Sequence, residues 1–189
     1  MRTRRQIEDA AQELFARLGY RGTSFAAVAE RAGFTPPALY RYFADKATLY
    51  EEVAKSSIDD VWQRILDRIE TEATLRQQLD AAYAAVGELV AEHPYVGAFL
   101  AAVPIEARWE PRFADLGDRR SAWERRVFTV MAETALRTGE LELDGRVDTV
   151  AEALRMVFRG WAFESHFEPG TGERRWEIIQ QLVRSLDQT

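Results

Sequence analysis

The sequence predicts an all-α protein of about nine helices. Residues 1–48 form a small three-helix N-terminal domain, and residues 49–189 form a larger helical domain. Three observations carry this. Apolar residues recur at spacings of three and four along most of the chain. Alternating β-branched runs are scarce. Residues 23–46, TSFAAVAERAGFTPPALYRYFADK, read as a helix, a glycine turn and a short second helix opened by proline.

The first helix spans residues 4–18, where Ile7, Ala10, Ala11, Leu14, Phe15 and Leu18 share one face. Gly19 stops it. Thr23 or Ser24 caps the second helix, whose inward residues are Phe25, Val28, Ala29 and Ala32, and Gly33 ends it. Thr35 is the N-cap of the third, with Pro36 and Pro37 in the first turn, where a missing N–H costs nothing. Three helices this short need a shared core, expected from Ile7, Ala11, Leu14, Phe15, Phe25, Val28, Ala29, Leu39, Phe43 and Leu49. A fourth helix begins near Asp45–Lys46 and runs to about Ile69. Further helices are expected near 73–92, 95–106, 118–138, 146–166 and 173–187, broken by His93-Pro94, Gly139, Gly145 and the Pro169–Gly172 region. The segment 107–117, with Pro111 and Gly117, is read as irregular.

Composition narrows the chemistry. With no cysteine in 189 residues, a disulfide scaffold, a thiol nucleophile and thiolate zinc sites are excluded. The two histidines, His93 and His166, stand 73 positions apart, against an imidazole-rich metal site. No metal or cofactor is expected. No apolar run reaches the length of a membrane span and the N-terminus lacks a signal-peptide pattern, so a cytoplasmic protein without membrane contact is expected. No Walker loop, dinucleotide glycine pattern, HExxH or GxSxG occurs, which argues against an enzyme. Residues 1–50 hold eight Lys/Arg against five Asp/Glu, a net of +3, and residues 51–189 hold seventeen against twenty-six, a net of −9. A basic end on an acidic body suits local phosphate binding and orients the encounter.

The segment 23–46 fits a helix-turn-helix, in which a supporting helix and a tight turn present a short helix to the major groove. Thr35, Tyr40, Tyr42 and Lys46 offer donors to phosphates. Pro36, Pro37, Ala38 and Arg41 are the groove-facing set: Arg41 for guanine or a phosphate, Ala38 and the prolines for thymine methyls. Arg2, Arg4 and Arg5 read as a basic arm for the minor groove or the phosphates, or as a merely polar end.

Residues 5–50 resemble the N-terminal domain of the TetR family of bacterial regulators. Arg5, Ile7, Ala10, Ala11, Leu14, Phe15, Gly19, Tyr20, Thr23, Val28, Ala29, Ala32, Gly33, Phe34, Thr35, Leu39, Tyr40, Tyr42, Phe43, Lys46 and Leu49 carry the resemblance. It implies an all-helical homodimer, operator binding, and release by a small effector bound in the C-terminal domain. It implies backbone contacts from Thr35, Tyr40, Tyr42 and Lys46, with Thr23 added to that set, and groove contacts from Pro36, Pro37, Ala38 and Arg41. One departure stands out: Pro37 occupies a position that often holds glycine or another small residue, and two successive prolines remove amide donors there.

Within the acidic body, Trp109, Trp123, Phe158 and Trp161 with the polar Glu106 and Arg119 are candidates for an effector cavity, where a carboxylate would favour cations. Dimerisation is expected through the last two helices, using Val150, Leu154, Val157, Trp161, Trp176, Ile179, Leu182, Val183 and Leu186. Trp161 is claimed by both sets. The reading is a repressor released from a pseudo-palindromic operator by a small molecule. The alternatives are a helical protein-interaction module without DNA binding, and a regulator that activates or needs no ligand.

Overall fold

The computed structural model describes the backbone of residues 2–141, 143–167 and 172–186, and their side chains except at residues 2, 3, 163, 165–167, 172, 180 and 182–186. The described residues form α1 (Arg2–Gly22), α2 (Phe25–Arg31), α3 (Pro36–Leu39), α4 (Lys46–Ile69), α5 (Leu75–Glu92), α6 (Val96–Trp109), a 3-10 turn (Pro111–Phe113), α7 (Ala114–Thr138), α8 (Val147–Phe167) and α9 (Gly172–Leu186), with no strand among them. The fold is all-α, as expected. Among the described residues no helix is long and apolar enough to cross a membrane.

The differences from expectation lie at element ends. Gly19 does interrupt α1, with φ 71, but helical turns resume to Gly22. At its start α1 includes residues 2–5, so the expected basic arm is the first turn of a helix. The segment 107–117 is ordered as the end of α6, a 3-10 turn and the start of α7, and Gly117 lies inside α7. Pro104 stands within α6. Its missing N–H leaves Leu100 O without its i+4 donor, and Arg120 Nη1 donates to that carbonyl at 3.4 Å.

The chain divides into two compact units, residues 1–60 with 89–120, and residues 61–88 with 121–189. The segment 1–48 lies wholly in the first, while α4, α5 and α7 contribute to both. The first unit buries Ile7, Ala11, Phe15, Val28, Ala29, Leu39, Phe43 and Leu49, with Leu14 and Phe25 half-buried. A ring cluster joins this core: Tyr50 stacks on Phe113 at 4.5 Å between centroids and meets Phe15 edge-on at 4.9 Å, while Phe99 lies 5.4 Å from Tyr50. The second unit buries Trp62, Ile65, Leu66 and Ile69 of α4 with Val127, Phe128 and Met131 of α7. Glu140 joins two of its elements, accepting from the N–H groups of Leu75 (2.6 Å) and Arg76 (3.1 Å) at the start of α5, where helix amides lack internal partners.

Candidate functional site

The turn between α2 and α3 is built from local chemistry. Ser24 caps α2, its hydroxyl accepting from Ala27 N–H at 3.0 Å. At the other end Gly33 takes φ 77, and Phe34 N–H donates back to Ala29 O at 2.8 Å, the six-to-one bond of a Schellman motif. An added Cβ at Gly33 would meet nothing within 4 Å, so glycine is needed there for its backbone angle and not for space.

This turn delivers α3 with its N-terminus at the surface. Thr35, Pro36 and Pro37 are exposed, Ala38 is half-buried, and Leu39 anchors the helix in the core. Thr35 makes no side-chain capping bond. Pro36 and Pro37 have no N–H, and Ala38 N–H already donates to Thr35 O at 2.9 Å. Any anion at this end therefore meets side chains, not helix amides. After Leu39 the chain leaves the helix in turns closed by Tyr42 N–H and Phe43 N–H on Leu39 O. Tyr40 and Tyr42 project from these turns, 58% and 39% exposed, each steadied by a ring: Phe25 at 4.7 Å from Tyr40 and Phe34 at 6.4 Å from Tyr42. Neither phenol, nor the Arg41 guanidinium, has a partner among the described residues.

Two residues expected at the phosphates are engaged inside the chain. Thr23 is 1% exposed, and its hydroxyl donates to Gly19 O (2.8 Å) and Leu14 O (3.1 Å). It ties the break in α1 to the start of α2. Lys46 donates from Nζ to Tyr20 O (2.7 Å) and Thr23 O (2.8 Å), and lies 4.2 Å from the centroid of the Tyr20 ring. Burial lowers its pKa from the ordinary lysine value, and Glu106 opposes that shift. The arginines of the expected arm are also held. Arg4 pairs with Glu8 (2.8 Å) and Glu52 and covers the Phe43 ring at 5.0 Å, and Arg5 Nη2 stands 2.8 Å from His93 Nε2. The Arg2 side chain is outside the described residues.

Arg112 and Glu106, neither assigned to this region from sequence, set its surroundings. Arg112, on the 3-10 turn, donates to Glu51 Oε2 (3.0 Å), Thr48 Oγ1 (2.9 Å) and the Asp45 carboxylate (3.4 Å) at the start of α4. Glu106 of α6 accepts from Tyr20 N–H at 2.9 Å, just past the Gly19 break. Local sequence carries no signal for either contact, since the partners are 61 to 86 residues away in the chain.

The second unit contains a cavity of about 150 Å³, lined by apolar side chains alone, among them Trp62, Phe128, Leu154, Phe158 and Trp176. Phe158 is the one expected cavity residue that lines it. Glu106 is a hydrogen-bond acceptor in the first unit; Arg119, also there, pairs with Asp59 (Nε to Oδ1, 2.7 Å); and Trp109 is 64% exposed. Trp123 has Arg126 5.6 Å from its ring centroid and is not part of the wall. Trp161 touches two lining rings, Phe158 and Trp176, each at 5.6 Å between centroids, without lining the cavity itself. No carboxylate lines the cavity, so the expected preference for cations has no basis there.

Residues 7–53 match the family profile of the bacterial regulatory proteins of the tetR family. These residues, about a quarter of the chain, are a TetR-family N-terminal segment. The chain is 23% identical over 180 residues to the transcriptional repressor KstR2 of Mycobacterium tuberculosis, covering 95% of this chain and 88% of that protein. It is 33% identical over 94 residues to the transcriptional activator FasR of Mycolicibacterium smegmatis, covering 50% of this chain and 42% of that protein. A solved structure of AibR in complex with isovaleryl coenzyme A and operator DNA aligns with TM-score 0.74 at 18% identity, covering 95% of this chain and 97% of that chain. The chain thus carries the DNA-binding segment of a transcriptional regulator.

Of the nine expected dimer residues, Trp161 packs on Phe158 and Trp176 of its own protomer, and the other eight divide into three groups. Val150, Leu154 and Trp176 are buried within the second unit, 0%, 7% and 5% exposed, so their surfaces are taken up by their own protomer. Ile179 and Val157 line the cavity, although Val157 also reaches the surface. Leu182, Val183 and Leu186 have side chains outside the described residues. Periodicity marks an apolar stripe without saying which partner covers it, and the intramolecular core covers Val150, Leu154 and Trp176. The same two helices expose Met156 (65%) and Ile178 (55%), which the sequence reading did not single out.

Proposed function

We propose that the protein is a homodimeric repressor that holds a pseudo-palindromic operator and releases it when a small molecule enters the cavity of the second unit. The observation that carries the DNA side is the surface of α3 and the turn after it. Thr35, Tyr40, Arg41 and Tyr42 are exposed and uncommitted, where the neighbouring Thr23, Lys46, Arg4 and Arg5 are engaged within the chain. The repressor sign follows the likeness to KstR2, which extends over most of both chains. The likeness to AibR supports one fold serving operator and ligand together. Lys46 retains a third donor for a phosphate, and Pro36, Pro37, Ala38 and Arg41 face the groove. α4 is the covalent path from the recognition turn to the cavity, since it starts beside α3 and ends with Trp62 and Ile65 in the cavity wall. A dimer sets two recognition helices about 34–36 Å apart, or a multiple of that. A second reading, activation, is favoured by the likeness to FasR over half of this chain.

The test is binding of the purified protein to the duplex upstream of its own gene, against scrambled duplex, over a salt series. Specific binding that weakens steeply with salt is expected. Arg41→Ala with Tyr42→Ala is expected to lower specific affinity about tenfold or more while the protein stays folded and dimeric. Absence of specific binding here and across a randomised duplex library overturns the reading in favour of a protein-interaction module. A transcription assay on the bound promoter separates repression from activation.

A further inference from the structure

We propose that Arg5 is a phosphate contact of the operator complex, held back by His93 in the free protein and released when His93 takes up a proton. The proposal rests on the reading above that the first unit binds duplex DNA, and it adds a proton-linked contact to that reading.

The geometry around His93 carries it. His93 lies between α5 and α6 and faces α1 within the same compact unit. Its Nε2 stands 2.8 Å from Arg5 Nη2, and its Nδ1 stands 3.6 Å from Asp9 Oδ1. A guanidinium only donates, so Nε2 is the acceptor and the ring is neutral, with its proton on Nδ1 toward Asp9. A second proton has to sit on Nε2. It sets donor against donor across 2.8 Å and one cation against another. In that state the Arg5 contact is lost, while Asp9 gains a charged partner. Among the other titratable groups near this turn, Glu8 and Glu52 pair with Arg4, and Glu88 pairs with Arg68. Glu92 precedes the ring in the chain and Tyr95 follows it, and α6 carries no charged residue before Glu106.

Arg5 differs from Arg4 in what holds it. A phosphate taking Arg4 has to displace two carboxylates. Arg5 is exposed, and among the described residues it is held by one neutral ring alone. A phosphate offers it a charged acceptor instead, and charge-assisted bonds are the stronger kind. Once Arg5 has moved to the phosphate, nothing on that side opposes a proton on Nε2. Operator binding is therefore linked to proton uptake, and affinity rises as pH falls through the range in which histidines titrate, about pH 8 to 5.

The experiment measures binding to the upstream duplex chosen above, at pH 6 and pH 8 over a salt series, for wild type, Arg5→Ala and His93→Gln. Wild type is expected to bind about fivefold tighter at pH 6 than at pH 8, because at pH 8 one hydrogen bond has to be broken first. Both variants are expected to lose this rise, apart from what His166 and the α-amino group leave in all three proteins. Glutamine keeps an acceptor for Arg5 but does not titrate. At pH 6 the slope of log affinity against log salt is expected to be shallower by about 0.9 in Arg5→Ala, one phosphate contact fewer, and unchanged in His93→Gln. A purely structural role of His93 would leave the Arg5→Ala slope at the wild-type value. That equal slope, or a pH dependence of the same size in all three proteins, overturns the proposal while the DNA reading stands. Absence of specific binding at both pH values overturns the DNA reading and the proposal together.

Discussion

Thr23 and Lys46 carry groups that suit a phosphate, and both are used to hold the junction of α1, α2 and α4. Residue type alone does not distinguish these uses, because a hydroxyl or an ammonium serves a carbonyl as well as a phosphate. Asp45 shows what a single side chain does at this junction. Its Oδ1 accepts from Thr48 N–H at 2.6 Å and so caps α4. That backbone bond first, then the Thr48 side chain and Arg112, hold the carboxyl below its ordinary value of 3.8. A carboxyl with a folded pKa below its unfolded one adds stability above the unfolded value and loses it as pH falls through the folded value. The loss therefore belongs below about pH 4. Asp45→Asn keeps a capping oxygen but removes the charge at the helix N-terminus. It is expected to cost about 0.3–1 kcal/mol at pH 7, and the gap from wild type is expected to close by about pH 2. Urea denaturation at the two pH values measures this, and a gap of equal size at both would assign the effect to something other than the carboxylate.

Among the elements, α6 carries the clearest conflict between local propensity and place. Pro104 interrupts its hydrogen-bond ladder, and Arg120 supplies a donor to the freed Leu100 carbonyl. Because Pro104 is exposed, replacing it disturbs no core packing. Pro104→Ala restores the N–H and is expected to raise stability by about 1–3 kcal/mol, read as a higher urea midpoint at unchanged slope. No gain would mean that the helix has already relaxed around the proline. α3 shows the opposite economy: four residues, Pro36–Leu39, suffice because Leu39 and the Schellman turn at Gly33 hold it in place. Its position was legible from Gly33, Thr35 and Pro36, since turn and cap chemistry is local. The exit after Leu39 was not, because no glycine or proline between Leu39 and Asp45 marks it.

For the whole molecule, the proposed function makes DNA recognition depend on assembly into a dimer. Met156 of α8 and Ile178 of α9 are exposed apolar side chains on the two helices expected to pair between protomers. Met156→Glu with Ile178→Glu is expected to yield a folded monomer with operator affinity reduced at least a hundredfold, since one recognition helix then binds without its partner. Light scattering and anisotropy check this, and a persistent dimer would place the interface on another face. Folding should be unaffected, because neither side chain contributes to the buried core of its own chain.

The amino-acid sequence by itself determined the helical class, the number and order of the helices, the turn at Gly33 and the core of the first three helices. Each of these follows from local rules: apolar spacing, capping and the backbone freedom of glycine. It also marked Phe158 for the cavity. Only the tertiary structure decided that Glu106, Trp109, Arg119 and Trp123 stand apart from that cavity, that Val150, Leu154 and Trp176 face inward, and that Arg112 clamps the start of α4. An amphipathic stripe records that a face is buried but not what buries it. The choice among core, cavity and partner depends on residues far away in the chain, and no local pattern encodes it.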